Sequence, residues 1–215
     1  MISTLRYIES RMSILQILIF KSNIKGEMRN NMQDYYNDEF LKHLITSTIQ
    51  TVGMDNELKQ DESGVNMTYN FISNTVGFDA KRLVEAWKEM DGAIPLEQYV
   101  KTLTMHELGH SMDREALQKS LDRTLEIMEV KGNYSDFELY TNEHLLSLII
   151  EEHEMNIVFE ETAWQNAKKI NEKVQMVDEI TFEIIKNQGL ATYKNLYEED
   201  LAIYQRVKEK SLQTV

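Results

Sequence analysis

Over most of this chain apolar residues recur every three or four positions, and in one stretch they alternate instead. Phe40, Leu41, Leu44, Ile45 and Ile49 keep helical spacing, which predicts a helix over residues 33–51 with Gly53 ending it. The polar run from Asp55 to Gly64 reads as a loop. Val65, Met67, Tyr69 and Phe71 then alternate with Asn66, Thr68 and Asn70, the period of a half-buried strand. Helical spacing resumes over residues 79–90, carrying Leu83, Val84 and Trp87. Pro95, the single proline, stands where a first helical position belongs, and the helix it opens runs through Tyr99, Leu103, His106 and His110. Further helices are expected over 114–131, ended by Gly132, and over about 137–173. A last helical region, about 175–212, is expected to be interrupted at Gly189. The pattern predicts an α+β chain, mostly helical, with a small sheet before the helix that bears the two histidines and a long second helix after it.

Length and composition narrow this picture. A chain of 215 residues suits one domain with a core of ordinary size, and the expected division is a segment 1–31 followed by a single domain over 32–215. Residues 1–31 hold five basic side chains (Arg6, Arg11, Lys21, Lys25, Arg29) against Glu9 and Glu27, so the acidity of the chain lies beyond them. Within that segment the apolar run from Ile14 to Phe20 is far below the ~20 residues that span a bilayer. No small-residue cleavage site follows it, so the segment reads as a short packed helix or as a consequence of start-site choice, with Met28 and Met32 as later starts. A cytoplasmic protein without a membrane span is expected. The net charge of −13 argues against direct nucleic-acid binding. With no cysteine, disulfides and thiolate ligands are excluded, and a bound transition metal must be held by histidine and carboxylate.

The helix opened by Pro95 contains His106-Glu107-Leu108-Gly109-His110, an HExxH sequence. Residues four apart on a helix share a face, so His106 and His110 can hold one metal ion together. Glu107 lies about 100° round the helix, where it can reach a metal-held water without being a ligand. The flanking Leu103, Met105, Leu108, Gly109 and Met112 are uncharged, as a buried metal helix requires. Gly109 costs about 1 kcal/mol against alanine inside a helix, which points to close packing against another element. Asp113, three residues after His110, either accepts the second N–H of a ligand histidine or marks the junction with the next helix.

Catalytic zinc keeps three protein ligands and one open position. No third histidine follows at the extended HExxHxxGxxH spacing, where Ala116 stands, so a carboxylate from the 137–173 helix is expected. Two places compete, Glu151-Glu152-His153-Glu154 and Glu160-Glu161-Thr162-Ala163-Trp164. His153 lies seven residues before Glu160 on nearly the same face and could donate to the oxyanion formed when water attacks a carbonyl. Tyr134 and Tyr140 are rival donors, and His43 and His144 show no metal spacing.

HExxH followed on a later helix by glutamate in an E-x-x-A setting resembles the gluzincin metallopeptidases, and Glu160-Glu161-Thr162-Ala163 fits that setting. Glu152-His153-Glu154-Met155-Asn156 also resembles the E-x-x-A-N of ImmA/IrrE-type peptidases, with methionine at the small-residue position. HELGH followed by Ser111-Met112-Asp113 is similar to ImmA/IrrE-like proteins and to the catalytic domain of anthrax lethal factor. The resemblance implies a zincin-like domain in which Glu160, ahead of Glu152, completes a zinc site with His106 and His110. Ala163 would leave room for the two helices to approach.

The function expected is a zinc-dependent metallopeptidase acting on a protein or peptide substrate. Its zinc would activate a water for which Glu107 serves as general base, and His153 is the candidate oxyanion donor. The ImmA/IrrE likeness implies an alternative, a regulatory protease acting on a repressor-type partner. A third reading is a non-enzymatic acidic helical interaction protein in which HExxH is incidental.

Overall fold

A computed structural model describes residues 37–213 apart from Asp91 and Ala93, so the expectations for residues 1–31 lie outside the described residues. Helix α1 spans Asp38–Val52. The Asn37 side chain starts it by accepting from the Phe40 amide at 2.9 Å, and Gly53, at a φ of 80°, closes it in the left-handed conformation that glycine adopts without strain. Its apolar stripe, Leu41, Leu44, Ile45 and Ile49, is buried in the main core.

Three short strands follow, β1 (Glu57–Gln60), β2 (Met67–Asn70) and β3 (Thr75–Phe78), in the order β1-β3-β2. β1 pairs parallel to β3, with Glu57 opposite Thr75, and β2 pairs antiparallel to it, with Met67 opposite Phe78. Through β2 the expected alternation holds: Val65, Met67, Tyr69 and Phe71 are buried while Asn66, Thr68 and Asn70 are half-buried. Both β1 and β2 are edge strands. Asp79 then caps helix α2 (Ala80–Lys88), whose Trp87 indole donates to the Ile94 carbonyl at 2.7 Å.

Helix α3 (Leu96–Met112) carries the HExxH sequence and is buried along almost its whole length from Leu96 to Gly109. It packs against α1, α2, β2 and two later helices, which explains why it lacks a clean polar face. Helix α4 (Arg114–Asn133) and the short α5 (Asp136–Thr141) lead into α6 (Glu143–Val174), and Gln175 turns the chain into α7 (Glu179–Gln213). α6 and α7 lie antiparallel. Contacts descend in register from Lys168–Glu183 through Glu161–Lys194 and His153–Asp200 to Glu143–Ser211. Among the described residues no helix is long and apolar enough to cross a membrane.

Several expectations are corrected. The run Asp55 to Gly64 contains strand β1, and β3 was not expected at all. Glu57-Leu58-Lys59-Gln60 is almost fully exposed, so its pairing rests on backbone hydrogen bonds and leaves no hydrophobic period. Pro95 sits just before the helix as its cap residue, and α4 runs through Gly132 to Asn133. The 137–173 helix is divided at Asn142, whose side chain accepts from the amides of His144 and Leu145 and so begins α6 afresh. The expected break at Gly189 does not occur, since α7 is continuous through it. A Cβ at Gly189 would stand 3.2 Å from the Trp164 ring, so this glycine makes room for the indole.

Candidate metal centre

The centre is built where α3 crosses α6. A Cβ at Gly109 would lie 2.1 Å from the Ala163 carbonyl oxygen, a distance no side chain tolerates. Gly109 and the small Ala163 therefore permit backbone approach, and the Asn166 side chain ties the crossing by donating to the Gly109 carbonyl at 3.2 Å. The close packing expected from a mid-helix glycine is present, and its partner is the E-x-x-A alanine.

That approach brings Glu160 between the two histidines. Its Oε2 stands 3.2 Å from His106 Nε2 and its Oε1 3.3 Å from His110 Nε2. One ligand atom from each of the three residues falls within 4.8 Å of the others, and among the described residues they form a group able to hold a metal ion. Both ion pairs of Glu160 are with imidazoles. The donor set fits a divalent transition metal. With bonds of about 2.0–2.1 Å, neighbouring ligand atoms of a tetrahedral zinc site stand about 3.3 Å apart. The side chains of His110 and Glu160 keep 13% and 12% of their surface exposed.

Burial alone would push the Glu160 carboxyl up, but the two imidazoles outweigh it and hold the group well below the usual carboxylate range. For His110 burial works downward, and Glu160 overcomes it to leave the imidazole raised. Glu107, buried beside them, is raised by desolvation, which the histidines offset only in part. A carboxylate whose affinity for protons is increased in this way suits a general base.

The other candidates are placed elsewhere. Glu152 forms an ion pair with Lys131 of α4. His153 Nε2 lies 2.8 Å from Asp200 Oδ2 of α7, and the Tyr140 hydroxyl donates to the same oxygen at 3.2 Å. Seven residues of helix put His153 about 10 Å along α6 from Glu160, so it is not among the groups gathered there. Asp113 stands at the junction of α3 and α4, and its charge acts on His110. Tyr134 is exposed, as are His43 and His144.

Sequence reasoning missed Trp164. Its indole stacks on the His106 imidazole with centroids 4.1 Å apart and planes at 23°. Its place four residues after Glu160, on the same helical face, was the available signal. Also unforeseen was a polar cluster beyond the end of the HExxH sequence. Asn74, at a φ of 59° in the β2–β3 turn, accepts from the Tyr69 hydroxyl at 2.8 Å and from Asn56 at 3.0 Å. Asn56 donates also to Ser111 at 2.9 Å, fastening the residue after His110 to the sheet. In comparisons with protein-family models, curated proteins and solved structures, nothing matches this chain.

Proposed function

We propose that this chain is a zinc-dependent metallopeptidase with a zincin-like fold, of the gluzincin arrangement that its motifs resemble. The observation that carries the reading is the convergence of His106, His110 and Glu160, from two separate helices, beside a buried Glu107. Zinc bound there would polarise a scissile carbonyl and activate a water for attack.

The protein's own groups account for the rest. His106, His110 and Glu160 would supply three donors to the ion. Glu107, adjacent to His106 and held in a desolvated setting, takes the proton of the attacking water and returns it to the leaving amine. β2, against which α3 packs, is an edge strand, the kind of element along which an extended peptide can align. Met67 of that strand packs its sulfur 3.9 Å from the Thr104 hydroxyl of α3, whose proton goes to the Val100 carbonyl at 2.8 Å. His153, engaged by Asp200, is left out of the reaction.

The test pairs metal analysis with cleavage of a peptide library. The wild-type chain should purify with one zinc per molecule and cleave members of the library. Glu107→Gln should retain the zinc and lose roughly 10²–10⁴-fold in rate, the usual contribution of a general base. Wild-type turnover by the variant, or a chain that takes up no zinc, would sink the reading.

A further inference from the structure

Histidines that bind metals almost always hand their second ring nitrogen to a carboxylate, a carbonyl or a water, and that bond fixes the ring plane. His106 departs from this. Its Nδ1 is buried and has no hydrogen-bond partner among the described residues. What lies against the ring is Trp164, face to face at 4.1 Å and 23°. The indole N–H is also buried without an acceptor among the described residues, so no hydrogen bond from them places this ring either. Packing from α7 does. Phe182 meets the indole edge-on with centroids 5.8 Å apart and planes at 84°. Gly189 leaves so little space that a Cβ there would come within 3.2 Å of Trp164 Cζ2 and 3.6 Å of Cε2.

We propose that Trp164, braced by Phe182 and Gly189 of α7, is the positioning residue of His106. Stacking fixes the imidazole plane where a hydrogen bond to Nδ1 would ordinarily do so. The inference rests on the reading that His106, His110 and Glu160 hold a metal ion. It makes α7, which contributes none of those three residues, a structural part of the site: the order runs from Gly189 and Phe182 through the indole to the imidazole.

Zinc affinity of the purified full-length chain, measured by competition with a chromophoric chelator, tests this directly. Trp164→Leu should bind zinc about 10–100-fold more weakly, the range typical for loss of a partner that orients a ligand. Trp164→Phe keeps a ring against the imidazole and should restore affinity to within a few-fold of wild type. The visible absorption of the cobalt(II)-loaded protein should change in the leucine variant and return in the phenylalanine variant. Leu146→Ala, a cavity in the separate cluster formed with Leu139, Leu145 and Ile149, should lower stability and leave affinity unchanged. Folded Trp164→Leu that binds zinc as tightly as wild type overturns the proposal, and so does a failure of phenylalanine to rescue. Should the leucine variant not fold, Gly189→Ala decides, since its added Cβ presses on the indole; zinc affinity equal to wild type then overturns the proposal. A wild-type chain that takes up no zinc overturns the metal reading itself, which separates the two failures.

Discussion

Helix α6 carries polar side chains at two places about two turns apart, Glu152 with His153 and Glu160, and they differ in what balances their charge. At Glu152 and His153 each group has a protein partner from a neighbouring helix, Lys131 for the glutamate and Asp200 for the histidine. At Glu160 the only ion-pair partners among the described residues are His106 and His110, members of the group able to hold a metal ion. The first cluster closes on itself and cross-links α4, α6 and α7. The second gathers lone pairs around one point without an ammonium or guanidinium to neutralise them, which is what a cation needs. Glutamate and histidine in one helix therefore do not by themselves mark a group able to hold a metal; among the described residues, Glu160 differs from Glu152 in having no lysine or arginine partner.

The comparison is most strongly tested by removing one glutamate from each cluster. Glu160→Ala should abolish stoichiometric zinc uptake, whereas Glu152→Ala should leave it intact, both read by metal analysis of the purified variants. Loss in both variants, or in Glu152→Ala alone, would dissolve the distinction. Next in size is Gly109→Ala. Its Cβ would meet the Ala163 carbonyl oxygen at 2.1 Å, so the helices must part. Denaturant unfolding should show a loss toward the upper end of the roughly 1–3 kcal/mol typical of overpacking, accompanied by weaker zinc binding.

Glu152→Ala should itself destabilise the fold, because Lys131 loses its partner while only 23% of its side chain is exposed. The loss should be about 1–3 kcal/mol, below the roughly 3–5 kcal/mol of a fully buried pair, since the lysine can turn to water. The smallest effect is expected at Glu161, the neighbour of Glu160 that faces away from the histidines. Its ion pair with Lys194 is 2.7 Å long, but the two side chains are 41% and 48% exposed. Lys194→Ala should cost less than about 1 kcal/mol, and the difference should shrink as salt is added.

How much of this was legible in the sequence depended on whether a feature left a local period. HExxH placed His106 and His110 on one face because helical spacing is local. β2 was visible through its strict alternation, while β1 and β3 were not. β1 is an edge that puts only Leu58, half-buried, against the core, and β3 is a four-residue segment whose Val76, Gly77 and Phe78 are all buried. The division at Asn142 was hidden because apolar spacing continues across it, and the continuity through Gly189 because a glycine signals a break and a close contact alike.

The sequence by itself determined the two-histidine half of the site, the acidic body, the absence of thiol ligands and the mostly helical class. The E-x-x-A resemblance singled out Glu160 in advance. Only the tertiary structure decided that Glu160 and Glu152 have different companions, because a helix presents a carboxylate but the neighbouring helices choose what it meets. It decided, too, that Gly109 and Ala163 touch and that Trp164 covers His106. Those contacts join residues more than fifty positions apart, and no period along the chain encodes a meeting between two helices.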